Sequence, residues 1–260
     1  MLKVLVDGEI YKSQGGISRC FTELMMHMGT ACDDIKFILH LPGECNAIIP
    51  RANWISGIKD LSSWPFANFK GVAKQASKAR ARLMHPRIFH STYYTLPYWS
   101  GLKQVVTVHD FIYEKFPALL ENAKALIERK RTVIENADAL VAVSFKTKED
   151  ILRYTEVEES KITVIHHGVS DVFCHKPTSQ SDTQEFMENY DIESPYWLYV
   201  GKRGLYKNFN MLLKAFVRIS SQVKGHLVTV GGEPSLDAWQ TELLIRHRER
   251  VHRQRRQGGI

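Results

Sequence analysis

The sequence predicts an α/β protein built on parallel, doubly wound sheets. Two observations carry this expectation. Short apolar runs alternate along the chain with segments whose apolar residues recur at helical spacing. The first run, Leu2 to Val6, is unbroken until Asp7-Gly8, as a buried strand is. The length of 260 residues allows one large domain or two small ones.

Each element follows in order. A loop with Gly15-Gly16 leads into a helix over about 17–28, marked by Ile17, Phe21, Leu24, Met25 and Met28. Phe37 to Leu39 is a second strand. Residues 42–65 carry Pro, Gly and Trp without a period and are expected to be loop. Val72, Ala76, Ala79 and Leu83 then form a narrow apolar stripe. Lys70, Lys74, Lys78 and Arg82 form a basic one at four-residue steps, so helix 70–83 is amphipathic with a basic face.

Ile88 to His90 is a short strand, followed by an aromatic loop from Tyr93 to Trp99. Val105 to Val108 is a strand ending in His109-Asp110, and a helix runs over about 120–137. Leu140 to Val143 is the next strand, with Ser144 placed as the N-cap of a helix near 145–155. Ile162 to Ile165 ends at His166-His167-Gly168-Val169.

Residues 174–194 lose the apolar pattern and gain Ser, Thr, Gln and Asp, which reads as a linker. A strand over 196–200, a helix from 208 to about 220 and a strand over 227–230 follow. The expected organisation is a domain over 1–173, a linker over 174–194 and a second domain from 195 to 260. From Tyr196 onward 65 residues remain, too few to close a second doubly wound domain, so that domain is expected to be incomplete.

Composition excludes several classes. The apolar fraction is 44% and the charged fraction 24%, which rules out a disordered or collagen-like chain. No apolar run approaches the roughly 18 residues a membrane span needs, and the N-terminus lacks a signal-like apolar stretch. The expected location is therefore the cytoplasm. Cysteines 20, 32, 45 and 174 match no zinc spacing and read as buried small apolar residues.

The net charge of +7 is uneven. Residues 61–109 hold seven Lys or Arg and no acid, and residues 242–260 hold six Arg against two Glu. Such windows suggest an anionic partner. The Arg-rich tail over 244–260 reads as a solvated helix, an arm for nucleic acid or another polyanion, or out-of-register coding after a truncation.

In open α/β sheets ligands bind beyond the carboxyl ends of the strands, and several residue groups fall there. Gly15-Gly16, before a helix, lets backbone N–H groups approach an anion, or is an ordinary turn. His109-Asp110 offers a hydrogen-bonding imidazole near neutral pH, or a structural strand end. Arg203 and Lys207 place cations beside a helix N-terminus, which is unfavourable unless an anion lies between them; the alternative is a solvated loop. Neither the His166-His167 pair nor His247 and His252 have metal-ligand geometry, and no metal is expected. The loop from Gly8 to Gly16 lacks the Gly-x-Gly-x-x-Gly of a dinucleotide-dependent oxidoreductase.

Taken together, Gly15-Gly16-Ile17-Ser18-Arg19, Thr107-Val108-His109-Asp110, Val143-Ser144, Val164-Ile165-His166-His167-Gly168-Val169 and Tyr199-Val200-Gly201 resemble the retaining glycosyltransferases of family 4. Arg203, Lys207-Asn208 and Leu212-Leu213-Ala215-Phe216 extend the resemblance, which covers most of residues 1–234. The His-Asp form, with Phe89-His90-Ser91 and Leu96-Pro97 upstream, looks most like bacterial mannosyltransferases of surface-polysaccharide synthesis.

The resemblance implies a GT-B fold, with two Rossmann-like domains facing a cleft, the first complete here and the second not. Gly15 and Gly16 would approach the donor diphosphate and His109 would face the transferred sugar. Asp110 would hold the loop, while Arg203 and Lys207 would neutralise the leaving diphosphate without a metal or other cofactor. The implied donor is a nucleotide sugar, GDP-mannose favoured. The acceptor is a glycan or lipid-linked glycan, met at an anionic membrane surface by helix 70–83; no nucleic acid is expected. The family's late glutamate pair has no counterpart, since Glu242 and Glu249 come too early. The chain therefore looks C-terminally truncated and is expected to have little or no transfer activity.

Overall fold

The computed structural model describes residues 1–60, 70–120, 122–173, 178–231, 236–247 and 251–254. The chain divides into two units, Met1–Val169 and Ser170–Ile260.

The first unit is a seven-stranded sheet in the order β3-β2-β1-β4-β5-β6-β7, with every neighbouring pair parallel. Its strands are β1 (Leu2–Asp7), β2 (Ile35–Leu41), β3 (Ile55–Lys59), β4 (Ile88–Ser91), β5 (Lys103–Val108), β6 (Ala139–Ala142) and β7 (Ile162–Val164). Five helices connect them: α1 (Gly16–Ala31), α2 (Lys70–Leu83), the single turn α3 (Ile112–Lys115), α4 (Ala123–Glu135) and α5 (Phe145–Tyr154). Parallel pairing forces crossover connections, and these helices cover both faces. Alternation along the strands divides the core. Val4, Val6, Phe37 and Leu39 pack with Phe21 and Met25 of α1, while Leu5, Ile38 and Phe89 pack with Ala81 of α2. A third cluster joins Val106, Val108 and Leu140 to Val133, Ile134 and Ile151 of α4 and α5.

The Ser144 hydroxyl accepts the Thr147 N–H at 3.0 Å, so it caps α5 as expected. Several expectations need correction. Cys20 and Cys45 are half-buried and Cys32 is exposed, where buried apolar residues were expected. Residues 55–59, placed in a loop, form edge strand β3; Ile58 is its only buried side chain, so it carries no apolar alternation to find. Residues 61–65 of the same stretch lie outside the described residues.

The apolar stripe of α2 points the other way. Val72 and Leu83 are 63% and 76% exposed, and the buried residues are Ser77 and Ala81. Ser77 is drawn inward by the buried His40, whose Nε2 lies 3.0 Å from the Ser77 hydroxyl. Part of the basic face also meets the aromatic loop: Lys78 Nζ sits 4.8 Å from the Tyr98 ring centre and Arg82 6.0 Å from that of Trp99, while Lys74 and Arg82 remain exposed.

The second unit begins with α6 (Gln180–Asn189), a helix within the stretch expected to be a linker and capped by Ser179. Residues 174–177 of that stretch lie outside the described residues. A parallel three-stranded sheet follows in the order β10-β9-β8, from β8 (Tyr196–Val200), β9 (His226–Val230) and β10 (Val251–Gln254). Helix α7 (Phe209–Ile219) buries Phe209, Leu213 and Phe216 against Leu227, and α8 (Ala238–His247) follows. Part of the Arg-rich tail is thus regular backbone, in α8 and β10; residues 248–250 and 255–260 lie outside the described residues.

Gly29 of α1 gives a test of the packing. In an exposed helix, Gly→Ala is worth up to about 1 kcal/mol of added stability. Here a Cβ would stand 1.9 Å from Trp54 Nε1, and that indole donates to the Met25 carbonyl at 3.1 Å. Gly29→Ala is therefore expected to lose about 1–3 kcal/mol, read as a lower midpoint in urea unfolding. A gain in stability would refute this packing.

Candidate functional site

The winding of the large sheet reverses between β1 and β4, and ligands of such sheets bind at this switch point beyond the strand ends. Asp7 ends β1 there, fully buried. Its carboxylate accepts the N–H groups of Glu9 (2.9 Å) and Thr92 (3.0 Å) and the hydroxyls of Thr92 (3.3 Å) and Thr95. Burial pushes its pKa up, and these donors pull against that rise. The bonds fix the loop after β4 to the end of β1.

Gly15 and Gly16 open α1. Gly15 is extended, so its torsions do not demand glycine; what glycine gives here is space. A Cβ on either residue meets nothing within 4 Å, so the helix start is open to an approaching group. One turn further, Cys20 Sγ lies 3.3 Å from His167 Nδ1. Phe21 sets its ring edge-on to His90, with centres 4.9 Å apart, and lies 6.3 Å from His109.

His109 follows β5. Its ring stacks on His167 at 5.7 Å and 12°. Burial, and then the neighbouring His167, push its pKa down to about 4. His90, bonded to the Thr107 hydroxyl at 2.9 Å, is likewise pushed down to about 4 by burial. Both imidazoles are therefore neutral at physiological pH. Among the described residues His109 Nε2 is buried without a hydrogen-bond partner. A neutral ring nitrogen in that setting can meet a ligand hydroxyl as donor or acceptor. Asp110 turns away from its neighbour; its Oδ1 accepts the Ile112 N–H at 3.1 Å and starts α3.

In the second unit, the loop after β8 carries Gly201 at φ 138°, a conformation suited to glycine. Arg203 is buried, its guanidinium 5.7 Å from the Phe209 ring centre, whereas Lys207 is exposed beside Tyr206. The two cations thus share a strand–helix loop but not an environment. Gly15, Gly16, His109 and Asp110 belong to the first unit, in the segments that follow β1 and β5, two strands with β4 between them.

The residues that sequence reasoning missed are His167, Cys20, Asp7 and Lys130. Lys130 had a legible signal: it interrupts the helical stripe of Ala123, Ile127, Val133 and Ile134. In the structure it lies on the buried face of α4.

The profile described as Glycosyltransferase Family 4 matches residues 14–173. The chain is similar to Anabaena Alr3699/HepE, solved in complex with UDP and glucose. The TM-score is 0.66 at 13% identity, over 97% of this chain and 69% of that one. WaaG, a glycosyltransferase involved in lipopolysaccharide biosynthesis, gives 0.66 at 13% identity, over 98% of this chain and 70% of that one. A glycosyltransferase from Rickettsia africae gives 0.63 at 17% identity, over 98% and 69%. No curated protein matches significantly. At these identities the structures establish the fold, the Rossmann-like α/β architecture of GT-B glycosyltransferases. The profile spans more than half of the chain and includes the loops of Gly15, His109 and His167, so this chain belongs to glycosyltransferase family 4.

Proposed function

We propose that this chain is a retaining, metal-independent hexosyltransferase. In this reading mannose passes from GDP-mannose to a glycan or lipid-linked acceptor of surface-polysaccharide synthesis. The observation that carries it is the neutral His109 imidazole, with its buried Nε2, at the ligand end of the sheet. There it hydrogen-bonds a hydroxyl of the transferred sugar. Asp110 shapes the loop through Ile112, and the open start of α1 at Gly15-Gly16 receives the diphosphate on backbone N–H groups. Arg203 and Lys207 offset the charge that develops on the leaving diphosphate.

Helix α2 supports contact with an anionic membrane. Lys74, Arg80 and Arg82 are exposed, with Val72 and Leu83 exposed among them. Each cation near such a surface is worth about 1 kcal/mol. Among the described residues no helix is long and apolar enough to cross a membrane. Binding to anionic vesicles in a sedimentation assay is expected to fall about fivefold or more for Lys74→Glu. Equal binding to zwitterionic vesicles would overturn the contact.

Calorimetric titration with GDP, UDP and their sugar conjugates, without metal, tests the donor. HepE was solved with UDP-glucose, so the uridine series is the direct competitor. Binding of the guanosine series alone, weakened about tenfold or more in Lys207→Ala and Arg203→Ala, is expected. Preference for UDP would overturn the GDP-mannose assignment.

His109 also sets a pH dependence. Its pKa near 4 means that the neutral form persists as pH falls through 6.5, the ordinary histidine value. Whatever sugar transfer the chain supports is expected to stay flat from about pH 8 to 5 and to fall with an acid midpoint near 4. His109→Ala is expected to cost about ten- to a hundredfold in rate. An acid limb centred near 6.5 would show that His109 is not the group that matters.

A further inference from the structure

Lys130 is a cation on the apolar face of α4. Its side chain is 4% exposed and that of its partner Glu114 7%. The pair is two-pronged, at 3.0 and 3.1 Å to the two carboxylate oxygens. Nζ also lies 3.7 Å from the Phe111 ring centre and 5.4 Å from that of Tyr94. A buried ion pair alone is weak evidence for stability, because desolvation offsets much of the attraction. This one has a third partner: Nζ donates to the backbone carbonyl of Asp110.

The same loop is held from its other side. The His109 N–H donates to the Tyr94 hydroxyl. Tyr94 itself sits at φ 54°, an unfavourable left-handed conformation for an aromatic residue, which persists only where the surroundings over-determine it. The surroundings do so here: Thr92 and Thr95 are tied to Asp7, and the Arg129 side chain donates to the Tyr94 carbonyl at 2.8 Å. The N–H of His109 and the carbonyl of Asp110, at the two ends of this dipeptide, are thus each held by a side chain from a different element.

We propose that Lys130, with Glu114 and Tyr94, forms a brace whose work is to position the His109 imidazole, making Lys130 a positioning residue for sugar transfer. The proposal rests on the reading of His109 as the sugar-facing group. The titratable and charged groups about His109 are His167, which stacks on it, His90, Asp110 and Lys130. Releasing the brace lets the ring leave its dry setting between Phe21 and His167.

The test follows the His109 side-chain resonance by nitrogen-15 NMR through a pH titration of the full chain, assigned with His109→Asn. Wild type is expected to titrate at about 4. Lys130→Met is expected to raise that midpoint by about one unit or more, towards the ordinary histidine value. Lys130→Arg, which keeps the cation, is expected to restore at least half of the shift. Tyr94→Phe changes no charge near neutral pH and is expected to move the midpoint the same way, so loss of the Lys130 charge cannot be the whole cause. Ile38→Val, a core substitution remote from the loop, is expected to leave it in place.

In sugar transfer, the brace variants are expected to lower kcat by about tenfold or more while donor KM stays within about twofold. An unmoved midpoint in both Lys130→Met and Tyr94→Phe overturns the brace; if Lys130→Met does not fold, Tyr94→Phe alone decides. A moved midpoint with transfer indifferent to His109→Asn leaves the brace standing and overturns the sugar-facing role instead.

Discussion

One buried carboxylate organises the first unit. Asp7 ends the central strand at the point where the sheet changes its direction of winding, and burial alone would make it a costly group. Four donors from two segments satisfy it, and three of them belong to Thr92 and Thr95 in the loop after β4. That loop carries Tyr94, whose hydroxyl takes the His109 N–H. The placement of His109 therefore traces back to Asp7 through a chain of named hydrogen bonds.

The electrostatics of the site depend on the same dryness. His90 and His109 are held neutral by burial, with Phe21 across both rings. A neutral imidazole recognises hydroxyl groups, as in a sugar, rather than anions. In the proposed function, anion recognition is left to features of other kinds: the open helix start at Gly15-Gly16 in one unit, and the cations Arg203 and Lys207 in the other. Burying Lys130 within this dry setting requires Glu114, which offsets the downward push of burial on its pKa.

Much of this was legible in the sequence. The strands before Asp7, His109 and Ser144 are apolar runs with polar ends, and the helices after them carry clear stripes. Strand β3 was not legible, because an edge strand burying only Ile58 has no pattern to show. The face of α2 was misread because Ala76 and Ala79 resemble Ala81 in hydropathy. What turns the helix is the bond between Ser77 and His40, thirty-seven residues apart. The His166-His167 pair was weighed only as a metal site, yet neighbours in an extended segment point apart. His166 packs on Phe145 at 5.6 Å, while His167 stacks on His109. Pairing across 58 positions leaves no local trace, whereas a lysine inside an apolar stripe does.

The separation between Asp7 and Thr92 also bears on how the protein is made. The two are 85 residues apart. At about 5–20 residues per second, the ribosome takes roughly 4–17 s to add the donors that the carboxylate needs. Until then Asp7 keeps its hydration, and the end of β1 cannot be sealed. The first helix and the second strand can collapse on one another early, but the ligand end of the sheet closes only when Thr92 and Thr95 arrive. The site is therefore completed only at that step, and a nascent chain stalled before Thr92 would hold part of the core but not the site.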